Sequence, residues 1–385
     1  MKDFVKRLLL RHRRRRNTAA HMRYYRQVVG QSPLLGEPAE GEKEWNERWR
    51  AFDRHLSPLS YRIYSRFCGC SPDIVPLEIC TNFIEPVLSP SVYSQTYDDK
   101  NLLGRILPPE VQAVTYLRCI RGHLYDNDYN PVVKSGDGIL GGLCFNKKVD
   151  TLIVKPTKLN SGIGVELFRR NELVFENDNK DLLSMQWLLG KYGPDFQVQQ
   201  YISQHPTTAR FNPDSVNTIR SATYRDCRGK IHYLGGVLRI GAPGQHVDNS
   251  HFGGICVGIE PDGTLRDHFF NIHLRKFSEY NGIDLAKEKN AIENYEQIKQ
   301  FSTDMAARFL HHDLLAFDIA IGCDGRPICV EVNTHGFSAW IMQAGVGPLF
   351  GDMTDEVLAR VERQKTEIGL MMVQTIDDHN PFLIF

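Results

Sequence analysis

The stretch LAFDIAIGCDGRPICVEVN, Leu315 to Asn333, decides the fold. Two apolar, β-prone runs flank Asp324-Gly325, and Asp-Gly between such runs is the strongest short signal for a two-residue hairpin turn. With those residues at the turn, Cys323 opposes Arg326 and Asp318 opposes Glu331. Asn333 shares their face, because side chains alternate along a strand. The other face collects Phe317, Ile319, Ile321, Ile328, Val330 and Val332, a core-facing set. Carboxylates opposed at about 5 Å repel by roughly 3 kcal/mol at an effective dielectric near 20. A hairpin whose polar side merely meets water does not explain acids set against acids, whereas a bound cation does. Two carboxylates and an amide oxygen suit Mg²⁺ or Mn²⁺ better than zinc. Asp318, Glu331 and Asn333 are therefore the candidate metal ligands.

Around this hairpin the chain reads as mixed α+β, with antiparallel hairpins rather than strict βαβ alternation. Leu152–Lys155, Gly164–Arg169, Gln197–Ile202, Thr218–Arg225, Ile231–Ile240 and Ile255–Ile259 are short β-type runs. Helical spacing marks 181–192, 290–309 and 354–373. Residues 1–30 read as a helix carrying ten Lys/Arg against Asp3 alone. That charge fits an anionic membrane surface or an acidic partner, and equally a solvated terminal helix. Trp45, Trp49, Phe52 and Leu56 form one helical stripe, read as core packing.

Composition narrows the class. With 42% apolar and 24% charged residues, 385 residues can bury a large core. A formal charge of zero argues against a general nucleic-acid binder. Nine scattered cysteines without Cys-x-x-Cys point to reduced thiols in a cytoplasm and give no zinc framework. No apolar run approaches 18 residues, and the start is too broken by charge to read as a secretory signal.

Several further segments carry chemistry. Lys155-Pro156 ends one strand, and Asn160-Ser161-Gly162-Ile163-Gly164-Val165 opens the next. A Gly-rich loop there can fold its N–H groups over phosphates, with the Lys supplying charge. No Walker-type loop and no Rossmann fingerprint occurs. Gln199-Gln200-Tyr201-Ile202 reads as a strand crossing between lobes. Arg220 and Arg239 sit inside β-prone runs, where a guanidinium asks for anions. Asp248-Asn249 with Gly253-Gly254 forms a polar loop able to close over the same anions, while His246, His251 and His268 match no metal set.

The order Lys100, Lys155 with its Gly loop, hinge, Arg220, Arg239, Asn249, Asp318, Glu331-Val332-Asn333 resembles the ATP-grasp superfamily over about residues 95–350. The closest branch is the sugar-transfer-associated ATP-grasp proteins of polysaccharide gene clusters. Asp99-Lys100-Asn101, Ile120–Asp126, Val216–Arg220 and Glu331–Asn333 support that narrower likeness. The resemblance implies two α+β lobes with ATP between them. It implies metal ligation by Asp318, Glu331 and Asn333, and phosphate contacts from Lys100, Lys155, Ser161, Gly162 and Gly164. Adenine contacts would run along Gln200, Tyr201 and Ile202, with Arg220, Arg239 and Asn249 stabilising transfer. Gln199 and Gln200 stand where the hinge usually offers an acid, which leaves nucleotide preference open.

The expected organisation is a helical and extended appendage over 1–95, a small lobe with its lead-in over 96–202, and a large lobe over 203–385. The expected activity is ADP- and phosphate-forming ligation of a small-molecule carboxylate to an amine or other nucleophile through an acyl phosphate. A sugar or polyol kinase and a non-catalytic nucleotide-binding module are the alternatives.

Overall fold

A computed structural model describes residues 2–132, 136–146, 148–158, 162–244, 248, 253–288 and 290–374. It contains two large antiparallel sheets. The smaller has six strands, β1 (Thr115–Ile120), β2 (His123–Tyr125), β3 (Thr151–Pro156), β4 (Glu166–Asn171), β5 (Val174–Glu176) and β6 (Phe196–Gln200), in the order β2-β1-β6-β3-β4-β5. Strand signals are weak before Thr151, so the hairpin β1–β2 escapes sequence reading. Its turn is Arg121-Gly122, both at positive φ (51° and 84°), the mirror-image geometry that matches strand twist.

Helices Gly136–Phe145 and Met185–Tyr192 cover one face of this sheet, where Leu117, Val154, Phe196 and Val198 pack with Leu140, Leu143 and Leu188. The opposite face carries Arg118, Gln197 and Lys155 side by side on one rung.

The larger sheet contains β7 (Thr218–Arg225), β8 (Ile231–Ile240), β9 (Ile255–Ile259), β10 (Leu265–Phe270) and β11 (Lys276–Phe277). A separate ribbon, β12 (Glu279–Tyr280) and β13 (Ile283–Asp284), follows, and then β14 (Leu314–Ile321) and β15 (Pro327–Asn333) complete the order β11-β10-β9-β8-β7-β14-β15. Both faces are buried, which is why β14 reads as an almost unbroken apolar run. On one face Ile219, Leu238, Val257 and Phe317 pack against helix Tyr295–Ala306. On the other, Ala222, Tyr224, Val237 and Ala316 meet Tyr25, Val28, Tyr61 and Tyr64 from the N-terminal region, together with helix Ala339–Gly345.

The first 95 residues thus share a core with the large sheet. The long N-terminal helix Lys2–Gln31 enters that core with its C-terminal half. In helix Glu42–Trp49, Trp45 and Trp49 are fully buried, worth about 2–3 kcal/mol each by apolar transfer. Their indole N–H groups donate to the carbonyls of Ile74 (2.7 Å) and Pro72 (2.9 Å). Gln343 ties the next segment down: its amide accepts from Val75 N (2.6 Å) and donates to Val75 O (2.8 Å).

The hairpin β14–β15 differs from its expected form in two places that cancel. The turn has three residues, Cys323–Gly325, closed by Gly322 N donating to Arg326 O at 2.9 Å. Only Gly325 takes positive φ (80°), and Asp324 Oδ1 accepts from Arg326 N at 3.1 Å, an Asx-type turn. A bulge then leaves Val330 unpaired between the pairs Ile319–Cys329 and Asp318–Glu331. Asp318 therefore faces Glu331 as expected, while Cys329 replaces Ile328 and Val330 in the core.

Candidate functional site

One rung of the large sheet runs Glu331, Asp318, Arg220 across β15, β14 and β7. These side chains share the face packed by the N-terminal region and sit at its open end. Asp318, 3% exposed, accepts from Arg220 Nε at 2.7 Å and Nη2 at 2.6 Å, and from Arg239 Nη1 at 2.8 Å. Burial alone would raise its pKa. Arg220 and then Arg239 outweigh burial and hold the carboxyl well below the usual carboxylate range. Arg239 also meets Asp248 Oδ1 at 3.3 Å, and Arg220 Nη1 donates to Ser338 Oγ at 2.8 Å. The cations that compensate the opposed acids are, in this geometry, the protein's own.

Glu331 has a different partner. Lys100 Nζ lies 2.8 Å from Glu331 Oε1. Lys100 arrives from a short turn, Lys100–Leu102, capped by Asp99 and pinned to the small sheet: Lys100 N donates to Thr157 O (3.0 Å) and Gln197 Nε2 to Lys100 O (2.9 Å). Lys155 stands on the same rung as Gln197. Burial, and then repulsion from Lys100, lower its ammonium pKa to about 8 against the opposing pull of Glu331. Lys100, on a turn pinned to the small sheet, thus meets Glu331 of the large sheet, and Lys155 on the small sheet lies near enough to feel both charges.

A divalent cation fits part of the expected ligand set. Glu331 and Asn333 line one cleft with Lys100, and offer a carboxylate and an amide oxygen. Mg²⁺ takes one or two carboxylates and completes its shell with water and substrate phosphates, so this donor chemistry suits it. Asp318 does not line that cleft, and both its oxygens accept from guanidinium groups. Among the described residues, no cluster of three or more His, Cys, Asp or Glu side chains stands ready for a metal.

The Gly-rich loop lies beside Lys155-Pro156. Gly162 and Gly164 take φ of 70° and 75°, where side chains with a Cβ are strained, and Tyr192 Oη donates to Gly164 O at 2.7 Å. Gln200 ends β6, and Tyr201 and Ile202 carry the chain out of the small sheet. Ser203 O then accepts from Cys323 N (2.8 Å), and His205 N donates to Ile321 O (2.8 Å), so the crossing runs along the hairpin turn. Ser161 and Asn249 lie outside the described residues, as do His246 and His251.

Sequence reading missed three features of this neighbourhood, the first of them the pair Asp98–His335. Asp98 accepts from Thr334 Oγ1 (2.8 Å) and lies 3.3 Å from His335 Nδ1, which raises the His335 pKa. His335 follows the Asn333 ligand position by two residues, a closeness the sequence did display. Arg118 is buried with its guanidinium 4.5 Å over the Tyr129 ring and its Nε without a hydrogen-bond partner. Nothing local in Tyr116–Ile120 marks that arginine, because its importance comes from the rung it shares with Lys155. The third is Gln197, which holds the Lys100 turn.

The family model of sugar-transfer associated ATP-grasp matches residues 127–354. No curated protein matches the chain. Among solved structures, D-alanine–D-alanine ligase from Bacillus anthracis is similar at 16% identity and a TM-score of 0.35, covering 73% of this chain and 69% of that one. The D-alanine–D-alanine ligase from Coxiella burnetii gives 12%, 0.39, 73% and 63%. D-cycloserine synthetase gives 13%, 0.40, 72% and 73%. The family match spans more than half of the chain and contains Lys155, Arg220, Arg239 and the whole hairpin that carries Asp318, Glu331 and Asn333: this protein belongs to the sugar-transfer associated ATP-grasp family and has the ATP-grasp fold.

Proposed function

We propose that the protein is an ATP-dependent ligase that joins a carboxylate to an amine or another nucleophile, releasing ADP and phosphate. The substrate class of this proposal is a sugar acid, amino acid or related metabolite of polysaccharide or natural-product biosynthesis, in keeping with the family's association with sugar transfer. One observation carries the reading: Lys100 pairs with Glu331 and Lys155 lies within their electrostatic reach, beside Asn333 and the Arg220–Asp318–Arg239 array. Two lobes, 96–202 and 203–385, would close on the nucleotide, with Gln200–Ile202 along its base.

In this reading Lys155 and Lys100 hold the phosphates, and the backbone at Gly162 and Gly164 closes over them. Glu331 and Asn333 would hold Mg²⁺, which when bound neutralises phosphate charge. Lys100, which pairs with Glu331, would contribute its ammonium to the same phosphates. Arg220 and Arg239, fixed by Asp318, are preorganised positive charge for the transferring phosphoryl and the acyl phosphate it forms. A neutral amine then displaces phosphate without a strong base. A hydroxyl kinase is the second reading, favoured by His335: held by Asp98 at the cleft edge, it can take a hydroxyl proton.

The test incubates the protein with ATP, Mg²⁺ and a pool of uronic and amino acids, and follows products by mass. ADP, phosphate and a dehydrated acid–nucleophile adduct support the ligase. A phosphorylated sugar without an adduct moves the activity to the kinase.

A further inference from the structure

The first four turns of the N-terminal helix do not belong to the core that its second half joins. Tyr25 and Val28 are fully buried, whereas Phe4, Val5, Leu8 and Leu9 are 73%, 47%, 55% and 48% exposed. At 100° per residue these four side chains fall within an arc of about 140°, one continuous apolar stripe along the helix. Arg7 and Arg11 run along one margin of the stripe, and Lys6 and Arg13 along the other. Residues 2–16 carry eight Lys/Arg against Asp3 alone. Because the second half of the helix is locked into the protein, the stripe is presented in a fixed direction.

Beside the stripe, along its Arg7–Arg11 margin, lies a groove lined by Arg7, Arg11, Arg14 and Arg15 with Phe52 and Phe83; His55 and one acid, Asp53, complete its charges. The Arg14 guanidinium stacks 4.2 Å over Phe83, and its buried Nε has no hydrogen-bond partner. Arginines gathered this closely repel one another, and burial with repulsion from Arg13 lowers the Arg14 pKa to about 10. An anion with several acceptor oxygens relieves both conditions.

We propose that this segment is a membrane-docking element that lies on an anionic phospholipid surface, with Phe4, Val5, Leu8 and Leu9 seated at the headgroup–acyl boundary and Arg7, Arg11 and Arg15 holding lipid phosphates. Charge complementarity selects an anionic partner, and the exposed apolar stripe between two basic margins selects a lipid surface over an acidic protein face. No helix among the described residues is long and apolar enough to cross a membrane, so this docking is peripheral. The inference is independent of the nucleotide chemistry.

The test is co-sedimentation of the full chain with vesicles of phosphatidylcholine alone and of phosphatidylcholine mixed with phosphatidylglycerol, at low and high salt. Binding to the mixed vesicles only, weakened by salt, is expected. Arg11→Gln/Arg15→Gln should weaken it about 30-fold, the loss of two near-surface cations. Phe4→Ser/Leu8→Ser should weaken it at unchanged salt dependence. All four positions are exposed, so circular dichroism should show the fold retained. Failure to bind the mixed vesicles at low salt overturns the proposal. So does binding indifferent to Phe4→Ser/Leu8→Ser, which would reduce the segment to a phosphate or acidic-protein contact.

Discussion

Replacing Asp318 by Asn sets two electrostatic effects against each other, and the structure decides between them. Viewed only as a pair, Asp318 and Glu331 repel by roughly 3 kcal/mol, so neutralising one should stabilise the ligand-free protein. That relief is small here, because Lys100 at 2.8 Å already neutralises Glu331. The cost is large. Asp318 accepts three charge-assisted hydrogen bonds of 2.6–2.8 Å at 3% exposure, and an Asn turns an NH₂ toward a guanidinium. Arg239 would keep the carboxylate of Asp248, but Arg220 would keep only neutral acceptors, Ser338 Oγ and the amide oxygen.

Breaking a buried ion pair from one side costs about 3–5 kcal/mol, so a net loss of about 3 kcal/mol is expected. Urea unfolding of the ligand-free protein, followed by circular dichroism, measures it. Glu331→Gln is the comparison and should cost less, about 1–2 kcal/mol, since Lys100 keeps part of its access to water but loses the carboxylate that offsets its repulsion with Lys155. An Asp318→Asn protein as stable as the wild type, or more so, would refute the argument and restore simple like-charge repulsion.

Three other perturbations are informative. Lys155, with its pKa at about 8, loses its charge above that pH, so ATP affinity measured by titration calorimetry should fall about tenfold per pH unit there; Lys155→Arg should remove the slope. Glu78 is buried against the Tyr25 hydroxyl at 2.7 Å, and burial pushes its pKa to about 7. The folded state therefore keeps a proton that the unfolded state loses, and this contribution to stability falls as pH rises from about 4.5 to 7. Glu78→Gln should flatten that limb and add up to about 3 kcal/mol at pH 8, read by thermal melts across pH. Gly258 lies under helix Ala339–Gly345, where an added Cβ would stand 1.8 Å from Gly345 O. Gly258→Ala should cost at least about 3 kcal/mol in urea or abolish soluble protein, and an unaffected midpoint would show that the helix slides freely.

The sequence displayed the hairpin through its alternation and Asp-Gly turn, and the Asp318–Glu331 pairing through the same pattern. It hid the route to that pairing, since a three-residue turn and the bulge at Val330 are local distortions that leave alternation nearly intact. Lys100, Lys155, Arg220 and Arg239 stood out as cations in β-prone or loop contexts. Their partners did not, because pairs such as Lys100–Glu331 and Arg220–Asp318 are separated by long stretches of chain and depend on which strands become neighbours. The six-stranded sheet was half visible: β3, β4 and β6 announce themselves, while β2 and β5 span only three residues each and β1 finds its second partner, β6, far away in the chain. The N-terminal region was legible as helix and aromatic stripe, but its partner, the far half of the face that bears the site, is a tertiary fact.

That last contact changes where the unit of inheritance ends. The stretch held in common with the family, residues 127–354, contains most of the chemistry and omits half of the core beneath it. Trimmed to that stretch, the large sheet would bare Ala222, Tyr224 and Ala316 to water and lose the Lys100 turn altogether. Recombination, domain grafting or truncation at that boundary would therefore yield a sticky, half-covered sheet rather than a portable catalyst. The smallest piece that can be exchanged intact runs from the N-terminal helix to the helix Thr354–Gln374.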